Sequence, residues 1–163
     1  FDQMLVSPAS PVEIACGKLI PGCVVGLVHG TIFFFSIIGF FKVPFVGSVE
    51  VLYVTMLLFS LSVSSIGLMV SSFASTQQQA FLGCFTVGVP CILLSGFMTP
   101  VNNMPMFLQD LSQLNPLRHF IVILQGLFLK DITMSAALDS SARIAAITAV
   151  SMLCAIWMFT RKA

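Results

Sequence analysis

Charged side chains are scarce: seven Lys and Arg and six Asp and Glu make up 8% of the 163 residues. Hydrophobic residues reach 58% and the mean hydropathy is +1.05. Such a chain cannot cover a water-soluble domain with polar surface, so it is an integral membrane protein. With a net charge of +1 and cations scattered singly, apart from Arg161 and Lys162, no basic patch exists for nucleic acid. There is no GxxxxGK[ST] phosphate loop, which excludes ATP hydrolysis by that route on this chain. HExxH and GxSxG are missing too. Glu50, Arg118 and Arg143 are expected near helix ends, so neither an intramembrane enzyme nor an ion pump finds its ionisable groups inside a span. The five cysteines, Cys16, Cys23, Cys84, Cys91 and Cys154, form no CxxC or Cys/His pattern and read as small apolar fillers. Neither an initiator Met nor a basic signal-peptide region opens the chain, which reads as a piece of a longer protein.

What is abundant is continuous apolar sequence rich in Leu, Phe, Ile, Val, Met and Ala. That pattern calls for helices, because a membrane barrel would alternate apolar and polar residues. The expected fold is all-α with four transmembrane helices, at residues 19–41, 49–70, 80–98 and 144–160. The first carries Gly22, Gly26 and Gly30 at helical spacing, a face that lets another helix approach closely in lipid. His29 lies one residue from that face and reads as a hydrogen-bonded packing residue. The second opens at Glu50 and carries Ser60, Ser64, Gly67 and Ser71, again a packing signal. Residues 71–79, SSFASTQQQ, read as an uncharged turn. Pro90 should kink the third span, and Trp157 near the end of the last suits an interfacial belt. Ser135, Asp139 and Ser140 are candidate caps before that last span.

Two stretches are not ordinary spans. In residues 1–18, Ser7-Pro8 and Ser10-Pro11 set turn geometry, and Ser10 can cap a helix with Pro11 first and Glu13 third. Either a short amphipathic helix along the membrane surface or a plain linker fits. In residues 93–131, Pro100, Pro105 and Pro116 forbid one continuous helix, while Asn102, Asn103, Asp110, Ser112, Gln113 and Asn115 can satisfy the freed backbone. Asn115-Pro116 reads as cap and first helical position. The 117–129 helix that follows is only about 20 Å long against a hydrocarbon core of roughly 30 Å, which suits a re-entrant or interfacial helix, or else a tilted span with Arg118 snorkelling. Counting cations fixes no orientation: Lys18, Arg161 and Lys162 face Lys42, Arg118, Lys130 and Arg143 across four crossings.

Three segments, MLVSPASPVEIACGKLIPG at 4–22, TQQQAFLG at 76–83 and LLSGFMTPVNNMPMFLQDLSQLNPLRHF at 93–120, resemble the C-terminal half of a type-2 ABC-transporter permease of the bacterial export kind. The resemblance implies that residues 1–18 are cytoplasmic and hold a coupling helix, with Ser7, Pro8, Ser10, Pro11 and Glu13 meeting a separate ATP-binding subunit. It implies an outer-side re-entrant helical hairpin over 99–131 that caps the translocation path, with Pro100, Asn103, Pro105, Asn115, Pro116 and Arg118 in it. His119 would then pack near the outer surface. No cofactor is expected on this chain, since ATP and Mg would sit on the partner ATPase. A second permease copy or paralogue, a periplasmic adaptor and the lipid bilayer of the bacterial inner membrane complete the expected partners. The expected function is the membrane-spanning subunit of an ATP-driven exporter, against a passive channel or membrane scaffold. The departure is that the family's first two spans, and any outer domain between them, would precede Phe1.

Overall fold

The computed structural model describes residues 11–130 and 134–162, and all of their regular structure is helical. In chain order the helices are α1 (Pro11–Gly39), α2 (Val49–Phe73), α3 (Gln77–Leu93), α4 (Met106–Ser112), α5 (Pro116–Gln125) and α6 (Met134–Lys162). A 3-10 turn, Val101–Asn103, precedes α4, and a π-helical turn, Gly126–Lys130, extends α5. Three helices among the described residues are long and apolar enough to cross a membrane, over Cys16–Gly39, Val49–Phe73 and Ala136–Met158.

The boundaries differ from expectation at four places. Among the described residues no separate surface helix precedes the first span, because one helix runs from Pro11 to Gly39. Pro21 sits inside it and leaves the Gly17 carbonyl without its usual donor, yet α1 continues. The third expected span is shorter than 80–98. It starts at Gln77, where Thr76 Oγ1 accepts from Gln79 N at 3.3 Å and Gln79 Oε1 accepts from Ser75 N at 3.0 Å, a capping arrangement inside the stretch read as a turn. It ends at Leu93 after 17 residues, about 25 Å of helix, with Pro90 in its last turn rather than at a mid-span kink. Gly96, at φ 84°, then reverses the chain in a backbone conformation that glycine adopts without steric cost. Finally, α6 begins at Met134, so Asp139 and Ser140 lie inside the helix instead of capping it.

The bundle forms around α2, which packs on α1, α3, α5 and α6. Its core joins Phe34, Leu52, Met56, Ile123, Leu127 and Ile144, and a second small cluster pairs Leu68 with Ala155. The α1–α2 seam is antiparallel and built on the glycine face. A Cβ on Gly22 would lie 3.3 Å from Ser64 Cβ, one on Gly26 2.9 Å from Ser60 Cβ, and one on Gly30 2.7 Å from Met56 Sδ. Thr31 and Tyr53 add a hydroxyl pair across the seam at 3.2 Å. Elsewhere, hydroxyls buried in the apolar helices bond to their own backbone one turn back, as Thr55 does to Val51 O and Ser65 to Leu61 O, both at 2.7 Å. Ser62 is the exception: its Oγ is buried without a partner. The outer faces stay apolar and exposed, for example at Ile20, Val24, Phe33 and Phe35 on α1, as helices bounded by hydrocarbon require.

Two substitutions test this packing. Gly26→Leu should cost about 1–3 kcal/mol through overpacking and lower the melting temperature of the detergent-solubilised protein, whereas Gly17→Ala, with nothing within 4 Å of the added carbon, should not. Ser62→Ala removes a buried unpaired hydroxyl and should raise the same melting temperature by the equivalent of about 1 kcal/mol.

Candidate functional site

The irregular passage after α3 brings amide, imidazole and guanidinium side chains together. Asn115 is half of its framework: Oδ1 accepts from Leu117 N at 3.1 Å and caps α5, while Nδ2 donates to Cys91 O at 2.6 Å, tying the start of α5 to the end of α3. Pro116 follows as the first helical residue, buried, where its missing N–H costs nothing. Phe120 then stacks on Phe59, with centroids 4.1 Å apart and planes at 9°. Phe59 lies about 15 Å along α2 from Val49 at 1.5 Å per residue. At the far end of α5, Val46 N and Gly47 N both donate to Leu127 O, at 3.3 and 2.9 Å. The helix thus runs alongside α2, from near its midpoint to the α1–α2 loop, without traversing the bundle.

Around the α4–α5 corner the side chains form one network. Arg118 Nη1 donates to Gln109 O at 3.2 Å and to Ser112 Oγ, and Ser112 Oγ donates to Gln109 O at 2.6 Å. The His119 Nε2–H donates to Gln113 O at 2.9 Å. From α6, Arg143 reaches Gln113 Oε1 at 2.9 Å with Nη1 and pairs with Asp139 at 3.1 Å through Nε. Burial pushes the His119 imidazole below its ordinary pKa, opposed by the backbone hydrogen bond to Gln113, with Arg143 and Arg118 adding to the lowering and Asp139 acting against it.

Arg143 corrects the expectation that it falls near a helix end. It sits about 13 Å into α6, within the segment apolar enough to span. The i,i+4 pairing with Asp139 is the signal that could have shown the helix starting earlier. Ser112 and Gln113 are expected from the sequence only to satisfy freed backbone, and Gln109 carries no expectation at all; their joint contact with two guanidiniums is not visible from spacing.

Of the other expected site residues, Pro100 precedes the 3-10 turn and accepts from Asn103 N at 3.0 Å, and Pro105 accepts from Leu108 N at 2.9 Å as α4 begins. Asn103 itself is exposed and away from the network. Glu13 is exposed in the first turn of α1, where its charge favours the helix dipole. Pro11 starts α1, while Ser7, Pro8 and Ser10 lie outside the described residues. His29 donates from Nδ1 to Val25 O at 2.9 Å on its own helix.

Two apolar cavities flank α5. One, of about 770 Å³, lies between α1, α2 and α5 and is lined by the three seam glycines, His29, Phe33 and Phe120 among others. The second, of about 310 Å³, lies between α2 and α3 and reaches Asn115, Pro116 and Leu117. Among the described residues no three His, Cys, Asp or Glu side chains come together as a metal site.

The family model for the ABC-2 type transporter matches residues 1–129. This chain belongs to that family. It is 42% identical over 162 residues to the "Probable multidrug ABC transporter permease YbhR" of Escherichia coli K12, covering 99% of this chain and 44% of that protein. To the "Inner membrane transport permease YhhJ" of the same organism it is 31% identical over 127 residues, 77% of this chain and 34% of the other. To the "Probable multidrug ABC transporter permease YbhS" it is 26% identical over 163 residues, 99% of this chain and 43% of the other. The chain therefore spans less than half the length of the curated relatives it matches. No solved structure matches it.

Because Asn115 holds both a helix cap and the α3–α5 tie, Asn115→Ala should cost about 1–3 kcal/mol. Asn103→Ala, on the exposed 3-10 turn, should stay within about 0.5 kcal/mol. Melting of the two variants side by side in detergent checks the difference.

Proposed function

We propose that this chain is the C-terminal portion of the membrane-spanning permease of an ATP-driven exporter, working with a separate ATP-binding subunit and a second permease copy or paralogue in a bacterial inner membrane. The observation that carries the reading beyond family membership is α5: a short apolar helix capped at Asn115, fixed beside the middle of α2 at one end and on the α1–α2 loop at the other. In this reading α3 is a fourth, short span. The α4–α5 corner is the tip of a re-entrant hairpin that enters from the outer face and closes the path, with Pro100 and Pro105 at its approach.

Coupling follows from α1. A helix that continues from Pro11 through Pro21 to Gly39 would carry a push at its cytoplasmic end along its length. ATP on the partner subunit would drive that push, and the outward path would open where α1 and α5 face the larger cavity. The names of YbhR and YbhS make multidrug efflux the first cargo class to examine, with a periplasmic adaptor as a further partner.

The test uses the full permease purified with its neighbours. A P-loop ATPase should co-purify, and Glu13→Lys should reduce ATP-driven cargo movement in vesicles by about tenfold or more, equivalent to some 1.4 kcal/mol of coupling, while ATP binding is unchanged. Transport at full rate without any ATPase, or cysteine labelling that finds positions 7 and 103 on the same side of the membrane, would overturn the proposal.

A further inference from the structure

The larger apolar cavity, about 770 Å³ between α1, α2 and α5, has a volume suited to a drug-sized molecule. Six of its lining residues are phenylalanines, among them Phe33 of α1, Phe59 of α2 and Phe120 of α5, and no Asp, Glu, Lys or Arg lines it. Apolar walls alone give a molecule no reason to leave the bilayer, because lipid tails are as apolar as the walls. Preference for the cavity over lipid has to come from ring contacts and from polar atoms that lipid tails do not offer.

Such atoms line it. His29 belongs to the cavity wall near the middle of the Cys16–Gly39 span. Its Nδ1–H is committed to Val25 O at 2.9 Å, so in the neutral ring Nε2 is an acceptor, and among the described residues nothing donates to it. The Gln125 amide on α5 and the Ser60 hydroxyl on α2 line the same cavity, and neither side chain makes a hydrogen bond within the described residues. An unmet polar atom in hydrocarbon costs free energy, and an apolar helix or an acyl chain laid over the opening would leave all three unmet. A molecule that offers an N–H or O–H to Nε2 would not. A full charge would go unpaired in this lining, and for an anion the negative faces of the rings add to the cost.

We infer that this cavity binds an uncharged planar aromatic molecule bearing an N–H or O–H group, with its rings among Phe33, Phe59 and Phe120 and its donor on His29 Nε2. The inference rests on the permease reading and names a cargo class for it. Gln125 is the second polar contact, and its amide can accept or donate.

The experiment places the full permease with its partner ATPase in phosphatidylcholine nanodiscs and titrates 1-aminoanthracene, following its fluorescence against empty nanodiscs. Binding should saturate. 1-Methylanthracene, which keeps the rings and loses the donor, should bind about three- to tenfold more weakly, the worth of one neutral hydrogen bond. Anthracene-9-carboxylate, an anion, and dodecanol, a donor without rings, should each displace the probe less well than 1-methylanthracene by about threefold or more. His29→Phe, at a side chain bonded only to its own helix, should bring 1-aminoanthracene down to the affinity of 1-methylanthracene and leave the latter unchanged. His29→Gln, which restores an acceptor, should recover part of the difference. Phe33→Leu, at an exposed position, should weaken both aromatics but not dodecanol, and it carries the test should His29→Phe not assemble. No saturable binding above empty nanodiscs, displacement by dodecanol or the carboxylate as effective as by 1-methylanthracene, or an affinity unchanged in both His29→Phe and Phe33→Leu overturns the site. ATPase co-purification is scored on the same samples. A complex that contains the ATPase but shows no saturable binding rejects this inference and leaves the exporter reading standing. A permease that binds the probe as described but brings no ATPase does the reverse.

Discussion

A chain this apolar has little water to satisfy its backbone, so wherever a helix is interrupted its own side chains must replace the missing hydrogen bonds. Among the described residues the buried amide and imidazole, Asn115 and His119, stand at such an interruption, whereas the long helices bury only hydroxyls. Past α3, Ser95 Oγ donates to Ile92 O at 2.6 Å and accepts from Phe97 N at 3.2 Å. Before α4, Gln109 Nε2 reaches back to Met104 O at 2.8 Å. At the corner, Asn115, Arg118 and His119 take up Cys91, Gln109 and Gln113 carbonyls, and at the π-helical turn the two loop amides of Val46 and Gly47 occupy Leu127 O. The polar network is therefore first a consequence of breaking helices inside an apolar bundle, and only then a candidate for chemistry.

Between unbroken helices the problem is different. Lipid tails are as apolar as leucine, so burial of apolar area offers no preference for helix over lipid, and close packing has to hold the helices together. The glycines of α1 supply it by admitting Ser64, Ser60 and Met56 of α2 into the space where side chains would stand. Against α6, α2 runs parallel, with Leu52 and Ile144 in one cluster, Leu68 and Ala155 in the other, and Ser72 Oγ 3.5 Å from Met158 Sδ. Three aromatic rings, Phe34, Phe45 and Phe128, close the loop end edge to face at 5.1–6.3 Å.

Features governed by local chemistry were legible in the sequence. Apolar run length gave the helical class, glycine spacing gave the face of α1 that meets another helix, and Asn115-Pro116 gave the start of α5, because a cap and a proline act over one turn. Features governed by tertiary context were not. Pro21 looks like a breaker, yet α1 runs through it because the single missing bond is outweighed by the turns on either side. The start of α6 lies ten residues ahead of the apolar run that marked it, since Asp139 and Arg143 neutralise each other on one face and Arg143 is further held by Gln113 from another element. The end of α3 depends on Gly96 and on the Asn115 side chain arriving from 24 residues away, which no local window contains.

These fastenings also decide what can move together. The corner is tied to α3 through Cys91 and to α6 through Arg143, and the other end of α5 is tied to the α1–α2 loop through Leu127. A displacement of α1 along its axis reaches α5 by two routes, through the loop amides and through α2 by way of the Phe59–Phe120 stack. The seam that begins the second route has no hydrogen bond between its glycines and serines, only steric fit, whereas the loop route is bonded to backbone. Sliding of α1 past α2 is thus opposed by shape along Gly22–Gly30 and by the Thr31–Tyr53 hydroxyl pair beyond it, while the loop end is held by backbone hydrogen bonds and aromatic contacts. The softer joint lies towards the Pro11 end and the stiffer one towards Gly39. A push at the Pro11 end would therefore be felt at the base of α5 before it disturbed the bonded corner at Arg118.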